Sequence, residues 1–163
     1  HDRLAQTPLW LIPFRQGGAS GFPAGASMSD TDALLFANEM FYRAFADRDI
    51  TVMSEIWAED APCTCLHPGW HPLEGREEIL QSWHNIFNGP EPPQIDWVAP
   101  RASIIGESGI VICYEKIGMD YLVATNLFVR RGHVWMLVHH QSGPVTSPPE
   151  KETEERRKPD AIN

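Results

Sequence analysis

The chain has 163 residues, 42% of them hydrophobic, and a formal net charge of −9 from 22 acidic against 13 basic side chains. That length and apolar share suit one globular domain with a genuine core and extensions at its ends. The negative field argues against nonspecific nucleic-acid or anionic-membrane binding, and no apolar stretch approaches the roughly 20 residues of a bilayer span.

Residues 1–29 carry no helical or strand period and are rich in Gly, Ala and Pro. They are expected to be a flexible extension, with Leu9-Trp-Leu-Ile12 as its only apolar cluster. A helix is expected from a cap at Asp30 or Thr31 to about Ala46, with Leu34, Phe41 and Phe45 on one face and Leu35 and Tyr42 on the next stripe. Asp49 can cap a short second helix carrying Met53, Ile56 and Trp57. A short strand near 62–66 precedes the turn His67-Pro-Gly69. A third helix opens at Gly75-Arg76, gathers Ile79, Leu80, Trp83, Ile86 and Phe87 on one side, and ends at Asn88-Gly-Pro90, where Gly89 suits a left-handed cap.

After Pro93 the texture turns β-branched and aromatic, and strands are expected near 94–105, 109–117, 120–130 and 133–142. Gly106-Glu-Ser-Gly109, Gly118-Met119 and Arg131-Gly132 are the turns. Links this short make successive strands antiparallel. Residues 147–163 form a charged tail without aromatics. The domain proper is then 30–146: helices first, a meander sheet after, an α+β layer architecture.

Two-residue turns give a register. Pairing Ile117 with Asp120 sets Cys113 against Ala124 and Val111 against Asn126. Pairing Arg130 with His133 sets Asn126 against Leu137 and Ala124 against His139. One face then collects Cys113, Glu115, Asn126, Phe128, Trp135, His139 and Gln141, and this face is expected to hold the pocket. The opposite face takes His140. A slip of one residue would exchange the two.

His139 is the leading acid/base candidate, because an imidazole titrates near neutrality and can give or take a proton. A plain core hydrogen bond to Asn126, Tyr114 or backbone is the competing role. Glu115, between Tyr114 and Lys116, is the second candidate: a carboxylate in apolar surroundings has a raised pKa. Asn126 marks the pocket because strands disfavour Asn and it must find partners. Trp57, Trp83 and Trp135 are candidate lining residues that serve equally as core, and Trp70 after Pro68-Gly69 is placed to gate the mouth.

Cys63, Cys65, His67 and His71 invite a zinc reading, but alternate strand residues lie about 6.6 Å apart, too far for convergence without a bend. No metal and no cofactor is expected, and His67 and Cys113 are assigned to the pocket wall. Three cysteines make no disulfide framework, so a reducing, cytoplasmic compartment is expected.

The helix order, Trp57-Ala-Glu-Asp60, Gly75-Arg76, Ala124-Thr-Asn-Leu-Phe128 and the terminal Trp135-x-x-x-His139 resemble the SnoaL-like proteins of the nuclear-transport-factor-2-like (NTF2-like) superfamily. The segment His67-Pro-Gly-Trp70 is similar to a group of these that shares HPGW. The resemblance covers about residues 30–146. It implies a cone-shaped fold of three helices on a curved antiparallel sheet, with a small-molecule pocket in the cone. The superfamily supports acid/base enzymes (isomerase, cyclase or dehydratase) and noncatalytic dimerisation or ligand-sensing modules, so either role is implied here. The expected partners are a small apolar molecule and a second copy of the chain held through the exposed sheet face.

Overall fold

The computed structural model describes residues 28–149. Most of the N-terminal extension and of the charged tail, including Leu9-Trp-Leu-Ile12, lies outside the described residues. The elements run α1 (Met28–Ala46), α2 (Ile50–Ile56), β1 (Thr64–Leu66), β2 (Leu73–Glu74), α3 (Arg76–Phe87), β3 (Asp96–Ile105), β4 (Ser108–Ile117), β5 (Asp120–Arg131) and β6 (Val134–Val145). The six strands make one sheet in the order β2-β1-β6-β5-β4-β3. Every pairing is antiparallel except β1 with β6.

The α+β architecture matches the sequence expectation, with local corrections at the helix ends. α1 already begins at Met28, so Asp30 falls in its first turn rather than capping it, and its carboxylate meets Arg130 at 3.3 Å. α2 is capped as its sequence suggests: Asp49 Oδ1 accepts from the Val52 amide at 3.0 Å. α3 starts after Gly75, whose φ of 94° is a conformation that other residues rarely adopt. Asn88 closes α3 with φ −93°, and Gly89 does not take up a left-handed form.

The helices cover one face of the sheet. From α1 come Leu34, Asn38, Phe41, Tyr42 and Phe45, all buried. The sheet answers with Val111, Cys113, Glu115, Ala124, Asn126, Phe128, Leu137 and His140. Close approach of α1 depends on Gly109, where an added Cβ would lie 2.6 Å from a Leu34 methyl carbon. Burying each large side chain of this layer is worth about 1.5–3 kcal/mol, which is why the amphipathic helix docks at all.

The β4–β5 register is the expected one: Ile117 meets Asp120, Cys113 meets Ala124, and Val111 meets Asn126. The β5–β6 register is not. Arg131 pairs with Val134, Phe128 with Leu137, and then Leu127 with His139, so one extra residue, Val138, bulges from β6. Leu137 and Val138 are consecutively buried, which a regular strand forbids. The bulge reverses alternation beyond it. His140 and Ser142 join the helix-covered face beside Asn126 and Ala124, and His139 and Gln141 turn to the other side. The expected facing of His139 and His140 is thus exchanged.

Candidate functional site

A cavity of about 220 Å³ lies between α1, α3 and the inner face of the sheet. Phe41, Tyr42 and Phe45 come from α1, and Trp83 and Ile86 from α3. His67, Pro68 and Trp70 come from the turn after β1. Pro93 and Ile95 lead into β3, and Glu115, Ile117, Leu122, His140 and Ser142 come from the sheet. Its walls are overwhelmingly apolar, so the few polar groups must be satisfied or set against one another.

They form a directed network. Asn126 Nδ2 donates to Asn38 Oδ1 at 2.8 Å and to the Tyr42 hydroxyl at 3.3 Å. Asn126 Oδ1 is therefore the acceptor that faces His140 Nδ1 at 2.6 Å, so the imidazole carries its proton on Nδ1. His140 Nε2 is left as a lone pair, 3.9 Å from Glu115 Oε1. The Cys113 thiol donates to the Tyr42 oxygen at 3.2 Å, and the Tyr42 hydroxyl in turn donates to Glu115 Oε1 at 2.8 Å. Trp97 stacks on the Tyr42 ring at 5.6 Å and holds it in place.

Burial sets the proton affinities. It pushes the Glu115 carboxyl above its usual range, against hydrogen bonds from Tyr42 and Ser142 that favour the anion. Burial lowers His140 to about 3, with further lowering from His67 and His139. Tyr42 is raised well above the ordinary phenol value by burial and then by Glu115. Near neutrality the imidazole is consequently neutral, and the carboxyl holds its proton more tightly than an exposed one.

His67 is a buried part of the cavity wall. Ser82 gives its hydroxyl proton to the Ile79 carbonyl at 2.6 Å, so its oxygen accepts from His67 Nε2 at 2.9 Å. Trp70 and Trp83 meet the His67 ring edge-on at 4.8 and 4.6 Å, and burial lowers this imidazole to about 4. Trp70 itself is half exposed, at the mouth.

Of the residues singled out from sequence, the structure brings Glu115, His67, Trp70 and Trp83 to the cavity wall. It sets Asn126 and Cys113 in the network behind the wall. It does not bring the others there. His139 lies on the opposite sheet face, hydrogen-bonded to Thr64, and Gln141 is exposed on that face. Trp57 is fully buried where α2 meets β6. Trp135 lines a separate concavity with Phe36, Met40, Val52, Glu55, His133 and Met136. The polar wall residues that sequence reasoning passed over as site members are Tyr42, His140 and Ser142. A signal for the first was available, because Asn38 interrupts the apolar face of α1 one turn before Tyr42, as Asn126 interrupts β5.

The thiols are poor nucleophiles: burial raises Cys65 to about 12 and Cys113 to about 11, and all three cysteines are free. Among the described residues no three His, Cys, Asp or Glu side chains gather as a metal site, and no helix is long and apolar enough to cross a membrane.

Comparison with known proteins places the chain. A solved Streptomyces avermitilis protein of the NTF2-like family, provisionally named a dehydratase, is 28% identical with a TM-score of 0.65, over 73% of this chain and 98% of that one. A Thiobacillus denitrificans protein, provisionally named a calcium/calmodulin-dependent protein kinase type II association domain, is 26% identical with a TM-score of 0.62, over 68% and 93%. The F-box protein SKIP8 of Arabidopsis thaliana is 26% identical over 115 residues, 69% of this chain but only 49% of that protein, so the chain spans about half of this relative's length. The SnoaL-like domain family matches residues 35–147, and the chain belongs to that family within the NTF2-like superfamily.

Proposed function

We propose that the cavity binds a small, largely apolar molecule and acts on it by proton transfer, in the manner of a dehydratase, isomerase or cyclase. The observation that carries this reading is the Glu115–His140 pair, two oppositely tuned proton carriers 3.9 Å apart on an apolar wall. Titratable groups pushed apart in proton affinity are how one site supplies both an acid and a base at one pH. His140 Nε2, neutral with a free lone pair, takes a proton from the bound molecule. Glu115, whose carboxyl burial holds above its usual range, gives a proton to a departing hydroxyl or to a second carbon. Tyr42 fixes the carboxyl and the Asn126 amide fixes the imidazole, so both act from set positions. The provisional dehydratase name of the Streptomyces avermitilis relative supports the same class.

The test is turnover of a panel of cyclic β-hydroxy ketones and β,γ-unsaturated ketones by the protein and by its Glu115→Gln and His140→Gln variants. Loss of a measurable turnover in both variants, with the fold retained, supports the proposal. Equal turnover in the variants removes it.

A second reading, a noncatalytic dimerisation or ligand-sensing module, draws on the association-domain relative and on the sheet face that none of the described helices covers. That face presents Ile110, Tyr114, Val123 and Leu127, partly exposed, with Ile112 37% exposed among them. We propose that two copies pair there, which is compatible with either role.

A further inference from the structure

We infer that the cavity's ligand is an uncharged one- or two-ring molecule bearing a hydroxyl or enol group, whose oxygen bridges Glu115 and His140. This rests on the reading of the cavity as the site above and specifies what enters it.

Size comes first. An apolar cavity of about 150 Å³ accommodates benzene. The cavity here, about 220 Å³, takes a ring with short substituents or a small fused pair, and a four-ring skeleton is too large.

Charge comes second. Among the described residues no Lys or Arg lines the cavity, and Glu115 is the one acidic group on its wall. A carboxylate or phosphate would be desolvated with no counter-ion and would face that carboxyl. The aromatic walls, Phe41, Phe45 and Trp83, would suit a cation, but they pack edge-to-face on one another, Phe41 on Trp83 at 5.6 Å and Phe45 on Trp83 at 5.6 Å. Their faces are partly used in holding the wall together.

The hydrogen-bond inventory decides the functional group. His67 Nε2 is taken by Ser82, the Asn126 amide by three partners, and the Tyr42 hydroxyl by Glu115, Asn126 and Cys113. Among the wall residues, the Trp83 indole N–H is buried without a partner, and His67 Nδ1 has only the Cys65 sulfur near it, at 4.0 Å. The two groups set side by side with capacity to spare are the His140 Nε2 lone pair and the Glu115 carboxyl. Their separation of 3.9 Å is too long for a direct hydrogen bond, yet one oxygen can reach both. His140 Nδ1 is already the donor to Asn126, so Nε2 must accept. The bridging atom must therefore donate to His140, and it can accept in turn from the Glu115 carboxyl, which burial holds above its usual range. A hydroxyl does both; a carbonyl oxygen only accepts and an ammonium only donates.

Calorimetric titration of the purified chain with phenol, toluene, benzoate, benzylammonium and estradiol tests this, with the His140 side-chain nitrogens followed by NMR. Phenol should bind about tenfold or more tighter than toluene, the value of one satisfied hydroxyl pair. It should also move the Nε2 resonance, and the two ions and estradiol should bind more weakly than phenol. His140→Phe should keep toluene binding and lose the preference for phenol. Should that variant not fold, the unmodified chain's ranking and its Nε2 shift still decide. Toluene matching phenol, an ion or estradiol binding best, or no probe binding at all overturns the inference. Because phenol is bound and not turned over, this outcome is separate from catalysis. Turnover of an acidic substrate with benzoate as the best ligand would keep the acid/base reading and remove this one.

Discussion

His140 reaches Asn126 across the β5–β6 pair, Nδ1 to Oδ1 at 2.6 Å, because Val138 is an extra residue in β6 just before it. The bond fixes the imidazole tautomer, and with it the direction in which a proton can move toward or from Glu115. Two neighbouring histidines that look equivalent along the chain are thereby given different roles. His140 is 3% exposed inside the network, whereas His139 sits on the far face against Thr64.

Replacing each histidine separates these roles. His140→Ala leaves Asn126 Oδ1 without its donor, and an unsatisfied buried group costs about 1–3 kcal/mol. That variant is expected to lose stability by this amount and to lose phenol binding. His139→Ala removes partly exposed hydrogen bonds to Thr64 and Gln141, with an expected cost of about 1 kcal/mol and unchanged phenol affinity. Urea unfolding and calorimetry on both variants check the pair. The reverse pattern would overturn the assignment to His140.

Stability should fall as the medium is acidified from neutrality. Burial, the largest cause for both, holds His140 at about 3 and His67 at about 4 in the folded chain. In the unfolded chain each takes up a proton near about pH 6.5. Between that value and the folded values the unfolded state binds more protons, so stability complete above about pH 6.5 is lost toward pH 4. The slope approaches about 1.4 kcal/mol per pH unit for each histidine that stays neutral in the fold. Glu115 has the opposite sign: its raised pKa contributes stability below the unfolded carboxyl value, which is lost as pH rises through the folded one. Urea unfolding across this window should show a shallower acid slope in His140→Gln than in the unmodified chain.

Tyr42→Phe isolates the tuning of Glu115. The hydroxyl donates to the carboxyl and so favours its charged form, opposing burial. Without it the Glu115 pKa should move further up, read by carbon NMR of the side-chain carboxyl. The loss of a hydroxyl that also accepts from Asn126 and Cys113 should cost about 1–3 kcal/mol in urea unfolding. A carboxyl titration that does not move would show that the tyrosine has no hold on Glu115.

The sheet face left open by the described helices is tested by association. Ile112 stands between Arg101 and Thr125 on adjacent strands, with Ile110 and Leu127 in the next row. Light scattering at tens of micromolar should give a dimer mass. Ile112→Lys should give a monomer, since an unpaired charge at the centre of an apolar interface is costly to desolvate. A monomer mass for the unmodified chain ends this proposal.

The helices were legible because their signals are local. Asp49 caps α2 by accepting from an amide three residues on, and Ile79, Trp83 and Phe87 repeat at helical spacing on α3. The β4–β5 hairpin was legible for a similar reason: the two-residue turn at Gly118-Met119 fixes Ile117 against Asp120, and regular alternation carries that register along both strands. β1 was visible as a short strand, but its parallel pairing with β6 was not, because that contact joins Thr64 to His139 across the whole domain.

Val138 shows where local reading ends. Nothing in Trp135-Met-Leu-Val-His-His states which of two consecutive apolar residues will bulge. That choice depends on Leu137, whose carbonyl accepts from the Ala58 amide at 2.9 Å, and on Leu137 and Val138 both finding buried space. The sequence by itself determined the element order apart from the two-residue β2, the α+β layering, the family, and that a carboxylate and an asparagine sit mid-strand where they must find partners. Only the tertiary structure decided that those partners are Tyr42 and His140, because a one-residue bulge inverts every later side chain and is selected by packing across the sheet rather than along the chain.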